Sequence, residues 1–280
     1  MTNFDFDQAE GLRRMLGGPK PRIVTFLSAT PEEEKSAMLI NLGASLVRTG
    51  SDVLLLDANM SSLGVATRLN ATKGATLMEV TRQERALNEV IQPMPQGFGV
   101  GMLTRGPLRG PMQDVAQVRR LTNTFSILAK QTDIIVIDGE LGSDNTFPIA
   151  AMASGEIVVQ VSSTAASIKS AYSIIKRLHG QLGRRAFGVL VTGTSEKEAQ
   201  LVYQNMAQVA SRYLALQLNS MGSVPADEHV KRAAHLGRAV IDAFPLAGAS
   251  IAFRRLAGRF AVKQTHDSRD AMMLGEPIGA

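Results

Sequence analysis

Strands alternating with helices at a regular period predict an α/β fold: a doubly wound, mostly parallel sheet flanked by helices, in a single domain. Three observations carry that prediction. Continuous apolar runs at Ile23–Leu27, Asp52–Asp57 (DVLLLD) and Asp133–Asp138 (DIIVID) read as strands buried on both faces. Segments of helical period separate them, as crossovers between parallel strands require. At 280 residues and 45% hydrophobic, the chain is long enough for one core that needs no covalent staples.

The elements follow in order. Asp5–Leu16 (DFDQAEGLRRML) reads as a short amphipathic helix with Asp5 and Gln8 at its start and Arg13 and Arg14 near its end. Gly17-Gly18-Pro19-Lys20-Pro21 breaks the chain, so residues 1–21 form a helix and linker ahead of the main domain, 22–262. After the first strand, a helix runs through Met38, Leu39, Leu42 and Leu46. The Asp52–Asp57 strand leads to Asn59 and the turn Ser61-Ser62-Leu63-Gly64. Ala75–Val80 and Arg82–Ile91 read as short helical pieces, Phe98–Leu103 as a weaker strand and Val115–Lys130 as a helix. Beyond Asp133–Asp138, strands are expected at Glu156–Val161, Ala186–Val191 and Leu216–Val224. Helices are expected at about Ala165–Leu182, Glu196–Tyr213 and Asp227–Leu236. Ile251–Lys263 is a basic amphipathic helix, and residues 264–280 read as a disordered tail.

Composition excludes several classes of chemistry. With no cysteine, disulfides, thiol catalysis and thiolate metal sites are ruled out. His179, His229, His235 and His266 lack ligand spacing, so no metal site is expected. With no signal peptide or long apolar span, the expected location is cytoplasmic or peripheral at the inner membrane. A formal charge of +5 fits an acidic partner without choosing its kind.

The chemistry turns on Ile23–Leu46. A strand, a short polar turn and a helix are the setting of a phosphate-binding loop, and Lys35 and Ser36 stand where its terminal Lys-[Ser/Thr] belongs. The cradle before them is Ala29-Thr30-Pro31-Glu32-Glu33-Glu34. It has no glycine to turn N–H groups inward, a proline that has no N–H, and three carboxylates. The same residues make a helix start, with Thr30 at N-cap, Pro31 at the first helical position and Glu33 closing a capping box. A glutamate ~6 Å from one phosphate charge costs about 3 kcal/mol at an effective dielectric of ~20. The loop therefore reads as closed to triphosphate.

These stretches together resemble the MinD/ParA-like ATPases, P-loop NTPases with a deviant Walker A loop, and within them the FlhG (FleN) regulators of flagellar number. Asp7-Gln8-Ala9-Glu10-Gly11-Leu12-Arg13 is similar to the DQAxxLR element that opens FlhG proteins. Leu54–Asn59 matches the LLLDAD switch segment, Ile135–Gly139 the Walker B strand, and Ser223–Ala234 the late proline-to-helix passage. The departures fall at nucleotide positions. Against the family loop KGGVGKT, Thr30 stands at the signature lysine, and Pro31, Glu32 and Glu34 replace the glycines. Asn59 replaces the second aspartate of DAD, and an amide cannot act as a carboxylate base. Thr192 stands where relatives place an adenine-reading asparagine. Asp57, Asp138, Lys35 and Ser36 remain, with a structural ion pair of Lys35 and one or both aspartates as their expected role.

The resemblance implies a regulator of flagellar number or placement that acts by protein binding, and the departures at the nucleotide positions imply a pseudo-ATPase with no catalytic residues and no cofactor. It implies a FlhF-like GTPase as partner, engaged through Asp7, Gln8, Ala9, Leu12 and Arg13, and leaves open a flagellar switch-ring protein or a transcription activator. Without an ATP-driven sandwich dimer, a monomer or an ATP-independent dimer is expected. The alternatives are a slow ATPase switch that binds ATP with Mg and dimerises, or a partition or secretion relative of the same fold.

Two basic surfaces need a reading. In Ile251–Lys263, Phe253, Leu256 and Phe260 share a face, with Arg254, Arg255 and Arg259 elsewhere. That pattern suits either weak contact with anionic membrane or packing on the chain's own domain. The cluster Lys169, Lys176, Arg177, Arg184 and Arg185 has no aromatic interleaving, so it reads as a solvated helix face rather than a nucleic-acid site.

Overall fold

The computed structural model describes residues 21–59, 63–106, 114–142 and 144–261. Eight strands form one sheet: β1 (Arg22–Ser28), β2 (Val53–Ala58), β3 (Gln92–Pro93), β4 (Gly99–Met102), β5 (Ile134–Gly139), β6 (Glu156–Val161), β7 (Phe187–Thr192) and β8 (Leu218–Val224). Their spatial order is β3-β4-β2-β5-β1-β6-β7-β8. All neighbours are parallel except the short edge pair β3 and β4.

Helices cover both faces: α1 (Glu32–Val47), α2 (Val65–Arg68), α3 (Leu77–Thr81), α4 (Val115–Ala129), α5 (Ala165–Leu182), α6 (Glu196–Leu214), α7 (Glu228–His235), α8 (Val240–Ala243) and α9 (Gly248–Phe260). The expected fold class and central strands are present, with ends shifted by one or two residues. Arg82–Ile91 differs: it holds only a single 3-10 turn at Leu87–Glu89. The short helices α2 and α8 and the edge strand β3 have no counterpart in the sequence reading, being too short to show a period.

Strand alternation divides the core. Val53, Leu55, Ile134 and Val136 face α1 and α9, whereas Leu54, Leu56, Ile135 and Ile137 face α3 and α4. Asp57 and Asp138 continue the first set, two residues beyond Leu55 and Val136. The register pairs Asp57 with Asp138, so the two carboxylates lie side by side on adjacent strands and face the start of α1.

Two expectations are corrected here. The helix after β1 begins at Glu32, with Pro31 rather than Thr30 at N-cap and no side-chain cap bond. Thr30 is held elsewhere: its N–H donates 2.9 Å to Ser28 Oγ, and the two hydroxyls lie 2.8 Å apart. Glu33 and Glu34 are exposed at the helix start and close no capping box.

The second correction concerns the basic helix. Phe253, Leu256 and Phe260 are buried in the chain's own core, at 1%, 3% and 1% exposure. Phe260 meets Phe26 edge-on at 6.0 Å under the Arg22 guanidinium. Its cations are also engaged within the domain. Arg254 donates to the Pro245 carbonyl, Arg255 pairs with Glu196 and Arg259 donates to the Ser220 carbonyl. Of the two readings of this apolar face, packing on the chain's own domain is the one the structure holds, because α9 lies on α1 and β8. Among the described residues no helix is long and apolar enough to cross a membrane. Lys169, Lys176, Arg177 and Arg184 are exposed, as a solvated face requires, while Arg185 is half-buried.

Candidate functional site at the carboxyl ends of β1, β2 and β5

In an open parallel sheet, ligands bind beyond the carboxyl ends of the strands, where α1 begins. Here that position is filled by the chain's own groups. Lys35 and Ser36 sit on the first turn of α1, both fully buried. Lys35 Nζ lies 2.8 Å from Asp138 Oδ1 and donates 2.8 Å to the Gly139 carbonyl. Ser36 Oγ donates 2.6 Å to the Leu63 carbonyl.

The carboxylates are closed off from the other side by the turn after β2. Asp138 Oδ2 accepts from the Val65 N–H at 3.1 Å, and Asp57 Oδ2 from the Ala66 N–H at 2.8 Å. Asp57 Oδ1 accepts from the Asn59 N–H at 3.0 Å. The first two N–H groups of α2 have no partner within so short a helix, and the two aspartates supply one for each. Gly64 makes the approach possible, since a Cβ there would stand 2.3 Å from Asp57 Oδ2.

Electrostatically the site holds two carboxyl groups and one ammonium, all buried. The Asp57 carboxyl is pushed up to about 7, first by burial and then by the neighbouring Asp138 charge. The N–H groups of Ala66 and Asn59, with Lys35, oppose that rise without cancelling it.

The other predicted residues surround this centre. Asn59 is buried, with its backbone turned onto Asp57. Thr192 is buried at the end of β7, two strands beyond β1, accepting from Gln160 Nε2 at 3.1 Å. Thr30 and Pro31 form the loop above Ser28, and the Ala29 N–H donates to the Gln160 carbonyl at 2.9 Å. That loop is held by Ser28 and Gln160 and has no glycine in it. Asp7, Gln8, Ala9, Leu12 and Arg13 lie outside the described residues. Sequence reasoning missed Leu63, Gly64, Val65 and Ala66, the segment that covers the aspartates. The only signal was the Ser-Ser-Leu-Gly turn directly after a strand tip.

No family model matches the chain. It is 30% identical over 224 residues to the antiactivator FleN of Pseudomonas aeruginosa, covering 80% of both chains. Among solved structures it is similar to the septum site-determining protein MinD complexed with Mg-ADP from Pyrococcus horikoshii. That match has TM-score 0.64 and 19% identity, over 86% of this chain and 96% of the other. A ParA family ATPase from Chlorobium tepidum gives TM-score 0.63 and 15% identity, over 85% and 99%. With that identity to FleN over most of both chains, and with its single mostly parallel sheet, the chain belongs to the MinD/ParA family as a FleN/FlhG-like member.

Proposed function

We propose that this protein regulates flagellar number or placement by binding other proteins, as a pseudo-ATPase without an ATP cycle of its own. One observation carries the proposal: the groups that would hold a nucleotide and its magnesium are already satisfied within the chain. Lys35 is paired with Asp138, the Ser36 hydroxyl is bonded to Leu63, and the two aspartates accept the N–H groups of Val65 and Ala66. A bound triphosphate has to displace all four arrangements. It also has to accept Glu33 and Glu34 at the helix start, where a phosphate site presents free N–H groups. The residues present do not fit the group, so no cofactor is assigned and no catalytic residue is named.

The partners follow from kinship. FleN is named an antiactivator, which supports a transcription activator as one partner. The Asp7–Arg13 element supports a FlhF-like GTPase as another, with Gln8, Leu12 and Arg13 carrying the contact. The test is GTP hydrolysis by FlhF with the full chain and with a chain lacking Thr2–Gly17. Acceleration that needs the element and ignores Mg-ATP is the expected result. If the full chain does not accelerate FlhF, that partner is wrong; if acceleration requires ATP, the pseudo-ATPase reading is wrong.

A further inference from the structure

On the outer side of α1, a cleft of about 640 Å³ opens between that helix, the stretch after α2, the loop after β3 and helix α7. Its floor is apolar, from Ile40, Leu69, Met94 and Val230. Three cations are among its lining residues, with His235: Lys231, Arg68, which also donates to the Glu33 carbonyl, and Arg238, which also donates to the Asp242 carbonyl. Among the described residues no carboxylate lines it. Lys231 and His235 are exposed and make no ion pair among the described residues. Asn70, in the left-handed region at φ 55°, turns the chain directly after Leu69, which lines the cleft.

We propose that this cleft docks an acidic amphipathic helix of a partner protein. A concave apolar lining takes side chains spaced along one helix face, and the cations beside it meet acidic residues that flank that face. The walls are helices and turns with no open strand edge, so an extended peptide finds no backbone ladder there. No Phe, Tyr or Trp is among the residues lining the cleft to stack a base, and a flat anionic bilayer cannot reach the floor.

The wall is also tied to the filled site. Arg68 and Leu69 lie directly beyond the Val65 and Ala66 N–H groups that bind the aspartates, and the Ala71 N–H donates back to the Ala66 carbonyl at 2.8 Å. Resting on the pseudo-ATPase reading, this makes the cleft a constitutive surface whose shape does not depend on nucleotide.

The test uses a short fluorescein-labelled helix with leucines at i, i+3, i+4 and i+7 and glutamates elsewhere, read by anisotropy against the full chain. The double variant Arg68→Glu, Lys231→Glu should bind it about tenfold more weakly. Ala234→Phe, at an exposed lining position, should weaken it similarly with no change of charge. Lys169→Glu, Lys176→Glu on α5 should leave binding unchanged, and a probe with lysines for glutamates should not bind. Failure of the acidic helix to bind overturns the proposal. So does equal loss in the α5 control, which means diffuse attraction to a basic chain. Capture of single-stranded DNA or phosphatidylserine vesicles with the same variant pattern overturns it as well. If Mg-ATP alters binding while the variant pattern holds, the cleft stands and the pseudo-ATPase reading falls.

Discussion

Replacing Lys35 by methionine keeps most of the buried stem and removes the ammonium that faces Asp138 and the Gly139 carbonyl. At 2.8 Å the Coulomb attraction is about 6 kcal/mol at an effective dielectric of ~20, before the cost of burying both ions is subtracted. Both side chains are almost completely shielded, at 3% and 0% exposure, so solvent does not rescue the carboxylate left behind. Breaking a buried pair from one side costs about 3–5 kcal/mol, and here the orphan also sits beside Asp57. For a domain of this size that is a fall in Tm of roughly 6–10 °C. Thermal and urea unfolding of Lys35→Met without nucleotide reads it directly. The double variant Lys35→Met, Asp138→Asn should recover part of the loss, because the second change removes the unpaired charge. If Lys35→Met melts with the unaltered chain, the lysine is not structural and the argument for a self-filled site fails.

Two further outcomes follow from the same geometry. The folded chain holds the Asp57 proton to about pH 7 against an ordinary value of 3.8, so the contribution of this group to stability is fullest below pH ~4 and is lost as pH rises through 7. The full loss from this group is about 4 kcal/mol; urea unfolding between pH 5 and 8 should show the decline, and Asp57→Asn should flatten it. An equal slope in that variant would remove the assignment. Phe253→Ala should destabilise by about 3–5 kcal/mol as a core truncation, with no change in co-sedimentation with anionic vesicles; a variant that keeps its stability and loses sedimentation would restore the membrane role of α9.

Much of this was legible because its signals are local. The two carboxylate-tipped apolar runs gave adjacent strands, and an equal offset from each strand start brought Asp57 beside Asp138. Lys35, one turn into the following helix, could reach little else. The closing segment was not legible in the same way. The four residues of α2 show no period, and their role depends on two backbone N–H groups that any residue but proline supplies. The C-terminal helix shows the opposite limit. Its amphipathic pattern specified a buried apolar face, but a pattern does not say what buries it. Only the tertiary placement against Phe26 and α1 decides that. Thr30 lost the N-cap position because the helix starts one residue later and the Ser28 hydroxyl, 2.8 Å away, engages the Thr30 hydroxyl that would have capped it.

Isothermal titration of the full chain with Mg-ATP reaches the central claim most directly. Because Lys35, Ser36, Asp57 and Asp138 are bonded to one another or to the backbone around them, no saturable heat is predicted up to millimolar nucleotide. Micromolar binding that disappears in Lys35→Ala would contradict it.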